Sequence, residues 1–188
     1  MYALSLSEGQ KNTQREKVLS ASKRCAYIAV FVALVIAAQL CLAVIPGVEV
    51  VTLLFVSFAF AFGMKQGVVA ATTFSLLRQL VFGFYPNVLL LYLIYYNFLA
   101  ALFGFLGRRA ETPVRALWWI VLVACLCTAL FSMLDNLITI LWYQYAPKAA
   151  RAYILASLSV LLPQVICTAV TVAFLFLPLQ KVFALVRR

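Results

Sequence analysis

Three ionisable side chains stand inside otherwise apolar stretches of this 188-residue chain: Glu49, Arg78 and Asp135. A charge among apolar groups is costly and persists where it faces a cavity or a partner, so these three are the first candidates for chemistry. Amides and phenols accompany them: Gln39, Gln79 beside Arg78, Asn87, Asn97, Asn136 beside Asp135, and Tyr92, Tyr95 and Tyr96. One cation, two anions, several amides and aromatic walls can hold a polar or zwitterionic solute. The alternative is that Arg78 pairs with Glu49 or Asp135 as structural glue while the tyrosines form an interfacial belt. The same set is poorly equipped for turnover. The chain has no His, and its five cysteines, Cys25, Cys41, Cys125, Cys127 and Cys167, lie in apolar runs without a Cys-x-x-Cys pair. Cys125 and Cys127 point to different faces of a helix, and such thiols serve as small packing residues. Hydrolytic or metal-assisted catalysis therefore lacks its usual groups, and the chain reads as a non-enzyme with no metal site.

The elements that must position these residues follow from composition. Hydrophobic residues make up 66% of the chain and charged ones 11%, with mean hydropathy +1.07. That excludes a soluble enzyme, a secreted disulfide scaffold and a disordered chain. The net charge of +10 comes in short clusters between apolar runs, which argues against a nucleic-acid partner. The apolar runs are continuous and not alternating, so a β-barrel is excluded. The expected architecture is all-α, an integral membrane bundle of six transmembrane helices within one domain, 25–188, behind a polar cytoplasmic tail, 1–24. The spans run from about Cys25 to Val44, Val50 to Phe62, Gly67 to Phe82, Val88 to Leu106, Val114 to Trp142, and Ala152 to Val186. Pro46-Gly47 breaks the first, and Pro163 and Pro178 are expected to kink or subdivide the last.

Orientation follows from the cations. With the N-terminus inside, one side receives Lys11, Arg15, Lys17, Lys23, Arg24, Lys65, Arg108, Arg109, Arg115, Lys181, Arg187 and Arg188. The other side receives Lys148 and Arg151, and the remaining cation, Arg78, lies within a span. Both termini are thus expected in the cytoplasm. This topology sets Glu49, Arg78 and Asp135, with most of the amides, at one depth below the outer surface. The expected substrate-binding set is Glu49, Arg78, Gln79, Asn87, Tyr92, Tyr96, Asn97, Asp135 and Asn136.

The first span carries a second signal. Ala21, Cys25, Ala29, Ala33, Ala37 and Cys41 recur every four residues and form one small-residue stripe. Such a stripe packs within a bundle or docks another membrane subunit. Ala29-x-x-x-Ala33-x-x-x-Ala37 resembles the docking motif on the first helix of the substrate-binding S component of energy-coupling factor (ECF) transporters. Gly47-Val-Glu-Val-Val-Thr-Leu-Leu-Phe55 and Phe62-Gly63-x-Lys65-x-Gly67 resemble that family's second helix and the turn that follows. Phe82-Gly83-Phe84-Tyr85-Pro86 and Phe103-Gly104-x-x-Gly107-Arg108 resemble its third loop and fourth helix. The match covers spans one to four; spans five and six match in topology and length.

The resemblance implies a subunit of the bacterial cytoplasmic membrane that captures a vitamin or related micronutrient in an outward-facing pocket. It then docks by the alanine face onto a transmembrane coupling subunit driven by two ATPase subunits. ATP is used by those partners, and this chain would carry no cofactor. A nickel or cobalt S component would need an N-terminal His ligand, which this sequence lacks. The competing expectation is a stand-alone secondary transporter or ion-coupled carrier, which would be built from two pseudo-symmetric halves.

Overall fold

The computed structural model describes residues 2–43, 50–110 and 112–187, with side chains described within 21–186. Glu49 lies outside the described residues. The chain forms six helices: α1 (Tyr2–Leu42), α2 (Val51–Phe62), α3 (Met64–Phe82), α4 (Pro86–Arg109), α5 (Pro113–Tyr143) and α6 (Pro147–Arg187). Four stretches are long and apolar enough to cross a membrane: Ala21–Leu42, Pro86–Arg109, Pro113–Tyr143 and Pro147–Val186. The protein is therefore an all-α chain with the elements of a multi-pass membrane protein. The backbone is helical from Tyr2 through the polar segment and continues into the apolar part of α1.

The shortest helix holds the centre. α2 carries no charged residue, and nine of its twelve positions are buried. It touches all five other helices, which follow one another around it as α1, α3, α4, α5 and α6. Among the described residues α1 and α6 make no contact with each other. Aromatic rings fill the joints. Phe58 stacks on Phe31 of α1 at 4.0 Å, and Phe55 meets Phe74 of α3 at 5.2 Å and Tyr96 of α4 at 4.9 Å. Phe60 meets Phe176 of α6 edge-on at 5.2 Å.

Glycines set the closeness of this packing. α2 and α3 are joined by the single residue Gly63, at φ 88° and ψ 169°, a region essentially reserved for glycine. Gly104 and Gly107 bring α4 against that turn. A Cβ on Gly104 would collide with the Met64 backbone, and one on Gly107 with the Phe60 carbonyl. In lipid, where apolar side chains gain little by leaving the solvent, such backbone contact is a main source of helix association.

The surface marks a slab. Trp118 and Trp119, one turn into α5, are 80% and 71% exposed, and Trp142, Tyr143 and Tyr145 are exposed at its other end. Trp119 and Trp142 are separated by a helical rise of about 34 Å. That matches two interfacial aromatic belts around a hydrocarbon core of about 30 Å. Between them α5 presents Leu122, Leu126, Met133 and Leu137, all exposed. α6 stays one helix across Pro163 and Pro178, where the expected subdivision does not occur. In a membrane, neighbouring helices and hydroxyls can satisfy the carbonyls that proline leaves free.

Candidate solute-binding site

The ends of α1, α3 and α5 and the starts of α4 and α6 share one end of the bundle, where the polar side chains gather into two groups. The first is built on Arg78 of α3. Its Nε donates to Gln39 Oε1 of α1 at 3.2 Å, and Gln39 Nε2 donates to the Tyr92 hydroxyl of α4 at 3.2 Å. The guanidinium lies over the Phe82 and Tyr92 rings, 4.6 and 4.5 Å from their centroids. Arg78 is thus held by three helices and two rings, and among the described residues no carboxylate pairs with it. Next to it, the buried Gln79 accepts the Tyr85 backbone N–H on Oε1 at 3.1 Å, which ties the α3–α4 turn to the end of α3.

The second group lies on the seam between α5 and α6. The Tyr153 hydroxyl donates to Asp135 Oδ2 at 3.2 Å. Asn136 Nδ2 donates to Ser157 Oγ at 2.8 Å, and deeper in the seam Thr128 and Thr168 share a hydroxyl bond of 3.1 Å. Between the outer bonds and the inner one opens a cavity of about 370 Å³, lined by Phe131, Ser132, Asp135, Tyr153, Ala156, Ser157, Val160 and Gln164. The volume falls at the lower end of the range for small-molecule sites. Asp135 lies about 10 Å below the belt at Trp142, by helical rise.

An aromatic wall divides the two groups. The Arg78 guanidinium rests on Tyr92; Tyr92 and Tyr95 meet Phe131 at 6.0 and 4.8 Å; and Phe131 faces the cavity. The wall continues through Tyr96, which is fully buried against Tyr92 and Phe74. Of the nine residues expected to bind a solute, Asp135 lines the cavity and Asn136 holds Ser157, which also lines it. Tyr92 and Tyr96 stand behind it, and Arg78 and Gln79 lie beyond the wall. Asn87 is buried in the first turn of α4. Asn97 accepts a 3.1 Å bond from Thr72 and so joins α3 to α4. Glu49 falls outside the described residues.

The cavity residues of α6 escaped the sequence reading. Their signal is a polar stripe: Tyr153, Ser157 and Gln164 fall at i, i+4 and i+11, one face of a helix, with Val160 between them.

The small-residue stripe of α1 is placed plainly. Cys25, Ala29, Ala33, Ala37 and Cys41 are all exposed, while Phe31, Val32 and Val35 on the other faces are buried against the bundle. None of the three alanines is spent on packing inside this chain. No protein-family model, curated protein or solved structure matches the chain.

Proposed function

We propose that this chain is the substrate-capture S component of an ECF transporter in the bacterial cell membrane. It would bind a vitamin-like micronutrient from outside and pass it inward by docking on a coupling subunit driven by two ATPase subunits. The observation that carries the reading is the outward face of α1. A stripe of small residues lets two helix backbones approach closely, and its exposure on α1 supports a use outside this bundle. A second membrane helix is the partner such a face fits. The cavity near the outer end, in a chain with no His and two carboxylates beyond residue 50, suits binding better than catalysis.

The secondary-transporter reading gains less. Halves related by pseudo-symmetry should resemble each other, whereas α1–α3 contains the twelve-residue α2 and α4–α6 contains the 31-residue α5 in its place. The decisive experiment is uptake with and without co-expressed ECF coupling and ATPase subunits. The proposal expects the subunits to co-purify and uptake to require ATP hydrolysis. Ala29→Trp with Ala33→Trp should abolish uptake while solute binding by the purified chain persists. ATP-independent uptake by the chain alone overturns it.

A further inference from the structure

Resting on the capture reading above, we propose that the α5–α6 cavity selects an organic cation, an ammonium or protonated heterocycle, by placing its charge against Asp135. Among the cavity's lining residues Asp135 is the one with a formal charge; the others are aromatic, aliphatic, hydroxyl or amide side chains. Its hydrogen-bond partner among the described residues is the neutral Tyr153 hydroxyl. The cations nearest on α6, Lys148 and Arg151, are exposed and make no ion pair with it. Among the described residues Arg78, the cation expected at this depth, is taken by Gln39 and shielded by Tyr92 and Phe131.

Asp135 is half-buried, so its charge is only partly solvated, and among the described residues no cation stands beside it to offset that cost. A ligand that brings the missing positive charge recovers that cost, and an anionic ligand adds repulsion, so the site discriminates by charge sign. The rest of the wall fits an organic body. Phe131 and Tyr153 offer ring faces that favour an adjacent cation. The exposed Val160 and Ala156 give an apolar rim, and Ser132, Ser157 and Gln164 add hydrogen-bonding groups along the length of the seam. A bare metal ion fits worse: the described residues hold no group of three His, Cys, Asp or Glu side chains, and the space is that of a small molecule.

The test uses the full chain, purified in detergent, and isothermal calorimetry with three probes of similar size: phenethylamine, phenylpropanoate and phenylethanol. The proposal expects binding in the order amine, alcohol, carboxylate. Asp135→Asn should weaken the amine by about thirtyfold and leave the alcohol nearly unaffected. Asp135→Glu should keep the preference for the amine. Val160→Trp, which fills the cavity without touching the charge, should remove binding of all three. Should Asp135→Asn elute as aggregate, the probe order on the native chain and the Val160→Trp result decide. Alcohol bound as tightly as amine means a protonated Asp135 and overturns the proposal. So does a preference for the carboxylate, or no heat from the amine at millimolar concentration. None of these outcomes touches the capture reading, which falls on ATP-independent uptake instead.

Discussion

Arg78 is fixed in place without any solute. Its Nε bond to Gln39 and its two ring contacts join α1, α3 and α4 at one end of the bundle, so its first role is in holding those helices together. A hydrogen bond to a charged group contributes roughly 1.5–3 kcal/mol, and the ring contacts add less. Arg78→Ala is expected to lower unfolding stability by about 1–3 kcal/mol, read as a fall in the thermal midpoint of the purified chain. Gln39→Ala should cost a comparable amount, and the double variant less than the sum, because both changes break one network. Strict additivity would show that the bond is not a shared one. Sequence pattern and topology alone single out Arg78, since the other cations lie in the tails and connections or, like Arg115 and Lys181, close to the end of an apolar run. They could not name its partner. Gln39 is 39 residues away, and an amide on α1 competes for the guanidinium on equal terms with a carboxylate until the helices are placed. The same limit hid the cavity: Asp135 was legible as a charge, but Tyr153 became its partner only through the pairing of α5 with α6.

At the scale of the elements, the sequence gives the helices away more readily than their order around the core. The expected second span, Val50 to Phe62, and the observed α2, Val51–Phe62, nearly coincide because Gly63 ends the apolar run and also permits the turn. Its place at the centre was not readable, since twelve apolar residues can as well be a short span as a buried core helix. Close approach through glycine makes this arrangement testable. Gly107→Val would drive a branched side chain into the Phe60 carbonyl, and Gly104→Val into the Met64 backbone. Each neighbour is main chain and cannot rotate aside, so α4 must shift outward. Overpacking of this kind costs about 1–3 kcal/mol or more. Gly63→Ala adds backbone strain of about 1–3 kcal/mol without a clash, since nothing lies near its missing Cβ. Thermal unfolding of the three variants should show all of them destabilised. Unchanged midpoints for Gly104→Val and Gly107→Val would mean that α4 does not touch the α2–α3 turn.

At the scale of the whole molecule, the open matter is how α2 and α3 relate to the bilayer, since four stretches are long and apolar enough to cross it and these two are not among them. α2 rises about 18 Å, short of a hydrocarbon core of about 30 Å. Two contacts nevertheless tie the α2–α3 turn to one side. Gly104 lies against Met64 and Gly107 against Phe60, so the turn sits level with the last two turns of α4, where Arg108 and Arg109 follow. α4 itself is long enough to reach from one interface to the other. Lys65 must then share a side with Arg109, opposite Lys148 at the start of α6, as the sorting of positive charges also requires. In a background with all five native cysteines changed to Ser, Lys148→Cys should react with a membrane-impermeant maleimide on intact cells. Lys65→Cys and Arg109→Cys should react only after permeabilisation. Labelling of Lys65→Cys from outside, with Arg109→Cys still protected, would make α2 and α3 a hairpin that dips in and returns, and would leave four crossings in place of six. Labelling of both from outside, with Lys148→Cys protected, would invert the protein and move the Asp135 cavity to the cytoplasmic half, where a subunit that captures solute from outside could not use it.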